Sequence, residues 1–128
     1  KEVPDSYWYL GIIYENQGNS DLAWRYLKKA LIKRYVWKSQ GEVNFAIGFG
    51  EKLGKYEDLL RFYFSAMNKG FGSIELWTKM KNSYDKFGEG RKIVDVCSPK
   101  DNYSGLACIV KEGYFDLLYE EDADTKDL

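Results

Sequence analysis

The chain contains no histidine, and this absence removes most of the common catalytic chemistry. Without an imidazole there is no histidine-assisted serine or cysteine nucleophile, no histidine metal ligand and no ordinary proton shuttle near neutral pH. The two cysteines, Cys97 and Cys108, lack the close spacing of a zinc-binding pair. Carboxylate pairs such as Glu51 with Asp85 are expected by chance among twenty acidic residues, and a helical enzyme or small-ligand binder that uses them is the alternative. We therefore expect a protein that is not an enzyme and that holds no metal or cofactor.

Long apolar runs are also missing, since no stretch approaches the roughly 18–20 residues that cross a bilayer. No membrane span is therefore predicted. The sequence begins without an initiator methionine or a charged-then-apolar leader, which indicates an excised or processed piece of a longer protein and leaves localisation open. Cys97 and Cys108 fall on predicted helices, where a buried small side chain, a disulfide and a reactive thiol are the alternatives.

Apolar and aromatic residues are abundant, at 45% and 17% of the 128 residues, which suits one compact domain with a continuous core. Near the start, large and small side chains recur at three- and four-residue intervals, so that each set shares one face of a helix. A glycine and two alanines in this pattern would let two helix backbones approach closely. The residues that carry the pattern are Tyr7, Leu10, Gly11, Tyr14, Gly18, Ala23 and Ala30.

This spacing resembles the tetratricopeptide repeat (TPR), a helix–turn–helix unit of about 34 residues. Gly18-Asn19-Ser20 supplies the turn between the helices, and a similar turn begins at Gly54, 36 positions later. The second copy places apolar or small residues at Val43, Ala46, Ile47 and Gly50. A third copy is laid on Trp77, Met80, Tyr84, Gly88 and Ile93, so that the resemblance covers about residues 4–97.

The expected fold is all-α, with antiparallel helix pairs stacked as a TPR-like α-solenoid of about three repeats and a C-terminal capping helix. The repeat domain is assigned to residues 1–119 and an acidic tail to 120–128. A strand at 93–97 is the structural alternative, because apolar and polar residues alternate there. Helices are predicted near 4–17, 20–36, 40–53, 55–68, 73–86, 89–97 and 103–119.

Charge is unevenly distributed, with −6 on residues 112–128 and +5 on the remainder. The acidic end is interpreted as a solvated, frayed terminus or a linker. A basic cluster lies on and after the second helix and is interpreted as part of its outer, solvated surface, with an anionic partner as the alternative. Because the chain as a whole is not basic, a nucleic-acid partner is not expected. The cluster comprises Arg25, Lys28, Lys29, Lys33, Arg34 and Lys38.

The resemblance also implies where a partner binds, because the first helices of such repeats line a concave groove. For Trp8 the alternative is packing against a preceding helix. In one subset of the family a lysine and an asparagine of the first helix clamp a peptide carboxylate, but the corresponding positions here are Trp8 and Ile12, so chaperone-tail binding is not predicted. The groove residues carried over from the family pattern are Trp8, Ile12, Asn16, Asn44, Glu51, Lys52, Thr78, Asn82 and Asp85.

The function expected from this resemblance is a protein–protein interaction module, a scaffold or adaptor that binds a peptide or partner protein in the groove. The alternative is a helical accessory or docking segment of a larger enzyme or of a secreted assembly lipoprotein. Self-association is a further option, because a truncated stack leaves an apolar end face.

Overall fold

The computed structural model describes residues 3–71, Thr78 and 119–128, and this part of the chain contains four α-helices and no strand. The helices are α1 (Pro4–Asn16), α2 (Ser20–Ile32), α3 (Gln40–Leu53) and α4 (Tyr56–Asn68). The all-α expectation is confirmed for these residues. Apart from Thr78 and Tyr119, the predicted helices beyond residue 72, the strand alternative and both cysteines lie outside the described residues.

The chain divides into two compact units. One comprises Lys1–Val36 with Leu118–Leu128, and the other comprises Trp37–Leu117. We call α1 with α2 the first pair, which belongs to the first unit, and α3 with α4 the second pair, which belongs to the second unit. The domain boundary expected at 119/120 stays a prediction.

Local sequence explains how most of the helices begin. Pro4 occupies the first turn of α1, where a missing N–H costs nothing. Asn19 caps α2 by accepting the Leu22 N–H at 3.3 Å. Ser39 caps α3 by accepting the Glu42 N–H at 3.2 Å, while the Glu42 carboxylate accepts the backbone N–H of residue 38 at 2.8 Å. This reciprocal pair is close to a capping box and anchors the start of α3.

All four helices end in the same way. A residue with positive φ follows each helix, and the next N–H donates to the carbonyl five positions earlier at 2.9–3.0 Å. Three of these residues are Gly18, Gly54 and Gly70, but the fourth is Arg34, with φ of 69°. The prediction that the second helix extends to residue 36 is wrong, because the left-handed turn at Arg34 ends it at Ile32.

The first pair is held together by a close backbone approach at Gly11. A Cβ placed on Gly11 would lie 2.6 Å from Leu27 Cδ2 and 3.2 Å from the Ala23 carbonyl oxygen, and Ala23 and Leu27 are fully buried. The expectation that a glycine and alanines bring the two helices close is confirmed here. Large rings fill the flanks, since Tyr14 stacks on Tyr26 with centroids 5.4 Å apart.

The second pair buries the residues that were expected to form its core, namely Val43, Ala46, Ile47 and Gly50. The indole of Trp37, which precedes α3, packs beside Phe62 of α4 with ring centroids 6.3 Å apart. Its Nε1–H donates to the Ser65 hydroxyl at 3.0 Å, so that both buried polar groups are satisfied. The other buried apolar residues of α4 are Leu59, Tyr63, Phe64, Ala66 and Met67.

The two pairs have closely matching boundaries. Their first helices start 36 positions apart, at Pro4 and Gln40, and their second helices start 36 positions apart, at Ser20 and Tyr56. The second helices also end 36 positions apart. Each residue of the first pair therefore has an equivalent in the second pair 36 positions later.

Candidate functional site

The structure places Trp8 in the core of the first unit and not on an open surface. Its side chain is 4% exposed and stacks on Tyr35 with ring centroids 4.6 Å apart and planes inclined by 8°. Tyr35 reaches this position because the left-handed turn at Arg34 directs the chain back after α2. Trp8, which was predicted to be a groove residue, is therefore not accessible to a partner in this structure, and its packing partner is Tyr35.

On α1, the large apolar side chains that reach solvent come one position later in the sequence than the predicted groove residues Trp8 and Ile12. Ile12 is half-buried and Asn16 is exposed. The large apolar side chains that reach solvent are Tyr9, 56% exposed, and Ile13, 48% exposed, which lie one helical turn apart. The family pattern did not select these two residues.

On α3 the predicted groove residues are largely accessible. Asn44 and Lys52 are exposed and form a row along α3 with the exposed Gly48 between them, whereas Glu51 is half-buried. The amide of Gln40 donates to Asn44 Oδ1 at 3.1 Å, which holds the start of this row. Thr78 is exposed, while Asn82 and Asp85 lie outside the described residues.

Beside this row, α3 carries two half-buried aromatic rings. Phe45 and Phe49 stack with centroids 5.9 Å apart and planes inclined by 11°. They are the equivalents, 36 positions later, of Tyr9 and Ile13. The sequence contained this signal, because superposing the chain on itself with that offset aligns an aromatic or large apolar residue at both positions. We call Tyr9 with Ile13, and Phe45 with Phe49, the apolar faces of α1 and α3.

The acidic end of the chain is not a solvated, frayed terminus, so that prediction is wrong. Residues 119–128 belong to the same compact unit as the first pair, and they lie along the basic face of α2. Thr125 is fully buried. The outer, solvated surface predicted for α2 is wrong as well, because Lys28 and Lys29 are 0% and 2% exposed.

Two buried lysine ammonium groups make most of the contacts that hold residues 119–128, which we call the acidic segment. Lys28 Nζ lies 2.8 Å from Asp122 Oδ2 and donates to Asp124 Oδ2 at 3.1 Å. Lys29 Nζ donates to a Glu121 carboxylate oxygen and to the Thr125 carbonyl at 3.1 Å. Each lysine therefore satisfies more than one acceptor, as a buried charge requires.

Two arginines and a third lysine contribute at the edges of this contact. Arg25 Nε donates to the Asp124 carbonyl at 2.8 Å, and Lys33 Nζ lies 3.5 Å from a Glu121 carboxylate oxygen. The Arg34 guanidinium lies 3.8 Å from the centre of the Tyr119 ring, a cation–π geometry. The left-handed turn that ends α2 thus also positions Arg34 over the first residue of the segment.

The segment has a defined turn of its own. Asp122 Oδ1 accepts the Asp124 N–H at 3.1 Å and the Thr125 hydroxyl at 3.2 Å. The Asp122 carbonyl accepts the Thr125 N–H at 3.2 Å. Since Asp122 also pairs with Lys28, one carboxylate both shapes the turn and fastens it to α2.

The contact with α2 changes the pKa of the Glu121 side chain. The hydrogen bond from Lys29 lowers the pKa of this carboxyl, with further lowering from the charges of Lys29 and Lys33. Partial desolvation opposes the shift and does not cancel it. Glu121 is therefore held in its ionised form.

Among the described residues, no helix is both long and apolar enough to cross a membrane. The same residues contain no group of three or more cysteine, aspartate or glutamate side chains arranged to hold a metal ion. Comparison with models of known families, with curated proteins and with solved structures finds no match.

Proposed function

We propose that the chain is a protein–protein interaction module of TPR-like helix pairs, in which the first helix of each pair contacts the partner. The observation that carries the proposal is the repeated apolar face. Tyr9 and Ile13 on α1 reach solvent, and the equivalent positions on α3 hold the stacked rings of Phe45 and Phe49. Single exposed apolar residues are ordinary, but large apolar side chains at the same two positions, exposed on α1 and half-buried on α3, are a pattern.

The chemistry of these faces suits a peptide or protein surface. Aromatic side chains bury a large area with little loss of rotamer freedom, so they are enriched at interfaces. On α3 the exposed amide of Asn44 and the ammonium of Lys52 flank the rings. They supply hydrogen bonds and charge at the rim of an apolar contact, where a partner's backbone or side-chain oxygens can accept them.

The shared helix boundaries also support the TPR-like interpretation. The 36-position offset applies to helix starts, to the ends of α2 and α4, and to the positive-φ residues Gly18 with Gly54 and Arg34 with Gly70. A unit of this length with a small residue at the helix crossing is typical of helical repeats. Scaffolds of this kind present first-helix residues to a partner.

The test is a selection of peptides from a random library displayed on phage, followed by fluorescence-polarisation titration of the enriched peptides. We expect dissociation constants in the micromolar range, weakened about tenfold or more by Tyr9→Ser with Ile13→Ser. The matched control is Val36→Ser, because Val36 is 58% exposed, apolar and outside α1. Enriched peptides that bind the double variant as tightly as the wild type, or a selection that enriches none, would contradict the proposal.

A further inference from the structure

The basic face of α2 has the features of a recognition site for an acidic peptide. This basic face, which we call the lysine face, is formed by Arg25, Lys28, Lys29 and Lys33. The four residues follow one another at three-, one- and four-residue steps and so point to one side of the helix. Their ligand here is the chain's own segment, 119–128. In the second pair the positions equivalent to Lys28 and Lys29 are Phe64 and Ser65, so the face is particular to α2.

The contact involves a defined sequence pattern and not only charge. Lys28 pairs with carboxylates two positions apart, at Asp122 and Asp124. Lys29 pairs with a carboxylate one position earlier, at Glu121, and donates to the backbone carbonyl of Thr125. The Thr125 side chain is enclosed completely, which limits the size of the residue there. The contacts therefore match the pattern Glu-Asp-x-Asp followed by a small residue.

The segment is held by charge more than by apolar burial. Thr125 is the one fully buried residue of 119–128, and the side chains of Glu121, Asp122 and Asp124 keep 28%, 31% and 60% of their exposure. Partly exposed ion pairs contribute little net stability and are screened over about 8 Å at physiological ionic strength. Burial of two ammonium groups also carries a desolvation cost. A ligand that presents the same charges can replace a contact of this kind.

The segment and the lysine face belong to one chain, and this covalent connection favours the state in which the segment is bound. The paired residues are 88–99 positions apart in one chain, from Lys33 with Glu121 to Arg25 with Asp124, so the segment binds the lysine face intramolecularly. A free peptide with the same contacts has to compete with this intramolecular binding. The segment therefore has the position of an internal competitor on the lysine face.

We propose that the lysine face of α2 is a binding site for acidic peptide segments of partner proteins with the pattern Glu-Asp-x-Asp-small, and that residues 119–128 occupy it as a built-in competitor. This site differs from the apolar faces of α1 and α3 in position and in ligand chemistry. A partner with this pattern displaces the segment and takes over the contacts of Lys28 and Lys29.

The test uses the full chain and a fluorescein-labelled peptide of the sequence YEEDADTKDL. In one variant the native segment is disabled by Glu121→Gln, Asp122→Asn and Asp124→Asn. We expect this variant to bind the peptide about tenfold or more tightly than the wild type, because a site that is open one-tenth of the time loses tenfold in apparent affinity. Asp127→Asn, in an exposed residue of the same segment, is the matched control and is expected to bind as the wild type does.

Two further arms make the result specific. Adding Lys28→Gln and Lys29→Gln to the disabled variant is expected to abolish peptide binding, with circular dichroism at 222 nm unchanged. A scrambled peptide of the same composition is expected to bind at least several-fold more weakly. Equal peptide affinity in wild type and disabled variant, or binding that survives loss of both lysines, would overturn the proposal. Displacement of the labelled peptide by the scrambled peptide or by an RNA oligomer as readily as by unlabelled peptide would also overturn it, by showing a general polyanion site.

Discussion

The two helix pairs have nearly the same backbone plan but fill it differently. Where the first pair places Trp8 in its core, the second has Asn44 on its surface. Where α2 buries two lysines, α4 buries Phe64 and a serine. Three of the four left-handed turns fall at glycines and follow from local sequence, whereas burial is determined by contacts with residues elsewhere in the chain. Equivalent positions therefore predict a shared backbone and not a shared role.

Each pair is completed by a ring three residues outside its helices: Tyr35, after α2, stacks on Trp8, and Trp37, before α3, bonds to Ser65 of α4. Among the described residues, the first pair differs in having a segment from far along the chain, since residues 119–128 cover the lysines of α2. The substitutions below compare the pairs at equivalent or similar positions.

The largest expected difference is between Trp8→Ala and Asn44→Ala. Removal of the buried Trp8 indole leaves Tyr35 without its stacking partner and creates a large cavity, which costs about 3–5 kcal/mol of unfolding free energy. Asn44 is exposed on α3, so its replacement changes the unfolding free energy by about 0.5 kcal/mol or less. Urea unfolding followed by circular dichroism measures both. A loss at Trp8 as small as that at Asn44 would show that the Trp8–Tyr35 stack is not part of the core.

A smaller difference, opposite in sign, is expected between Gly11→Ala and Gly48→Ala. At Gly11 the new methyl group would meet Leu27 at 2.6 Å, and the overpacking costs about 1–3 kcal/mol, partly offset by the better helix propensity of alanine. At Gly48 no described atom lies within 4 Å of the new methyl group, so the propensity gain of about 0.5–1 kcal/mol remains. Thermal and urea unfolding are expected to show a decrease at Gly11 and an increase at Gly48.

A double-mutant cycle tests the cause of the Gly11 effect. Leu27→Ala removes the atoms that the new methyl group would meet, so Gly11→Ala is expected to be neutral or stabilising in that background. If Gly11→Ala costs the same with and without Leu27, the close approach of α1 to α2 is not its origin.

The sequence predicted the helix pairs well because the signals that determine them are local. The Gly18 and Gly54 turns, and the buried set of α3, follow from residues within one helix or one turn. The end of α2 was mispredicted by four residues because the composition of the sequence does not show that an arginine adopts left-handed backbone angles. Arg34 adopts a conformation that glycine normally takes, and nothing in its neighbours announces this.

The candidate sites were predicted less well, because their environments depend on contacts between distant residues. Whether Trp8 faces solvent depends on Tyr35, 27 positions later, and whether Lys28 is buried in an ion pair depends on Asp122, 94 positions later. The opposite charges of the basic cluster and the acidic end were visible, but the pairing of the two was not. The apolar faces were displaced by one residue from the family pattern, which is enough to exchange a buried side chain for an exposed one.

The smallest expected effect concerns pH and the segment 119–128 that is bound to the first pair. Because the pKa of Glu121 is lowered below its ordinary value of 4.5 in the folded state, its ionised form stabilises the docked segment above that pH. The stabilisation is lost as the pH falls through the lowered pKa, since the proton then competes with the Lys29 hydrogen bond. Heteronuclear NOE values at Thr125 are expected to fall over this acid range while those of α3 and α4 stay constant. In Glu121→Gln the fall is expected to be shallower and in Asp127→Asn unchanged, whereas a parallel loss of order in α3 would show general acid unfolding and would refute a role for this carboxylate in holding the segment.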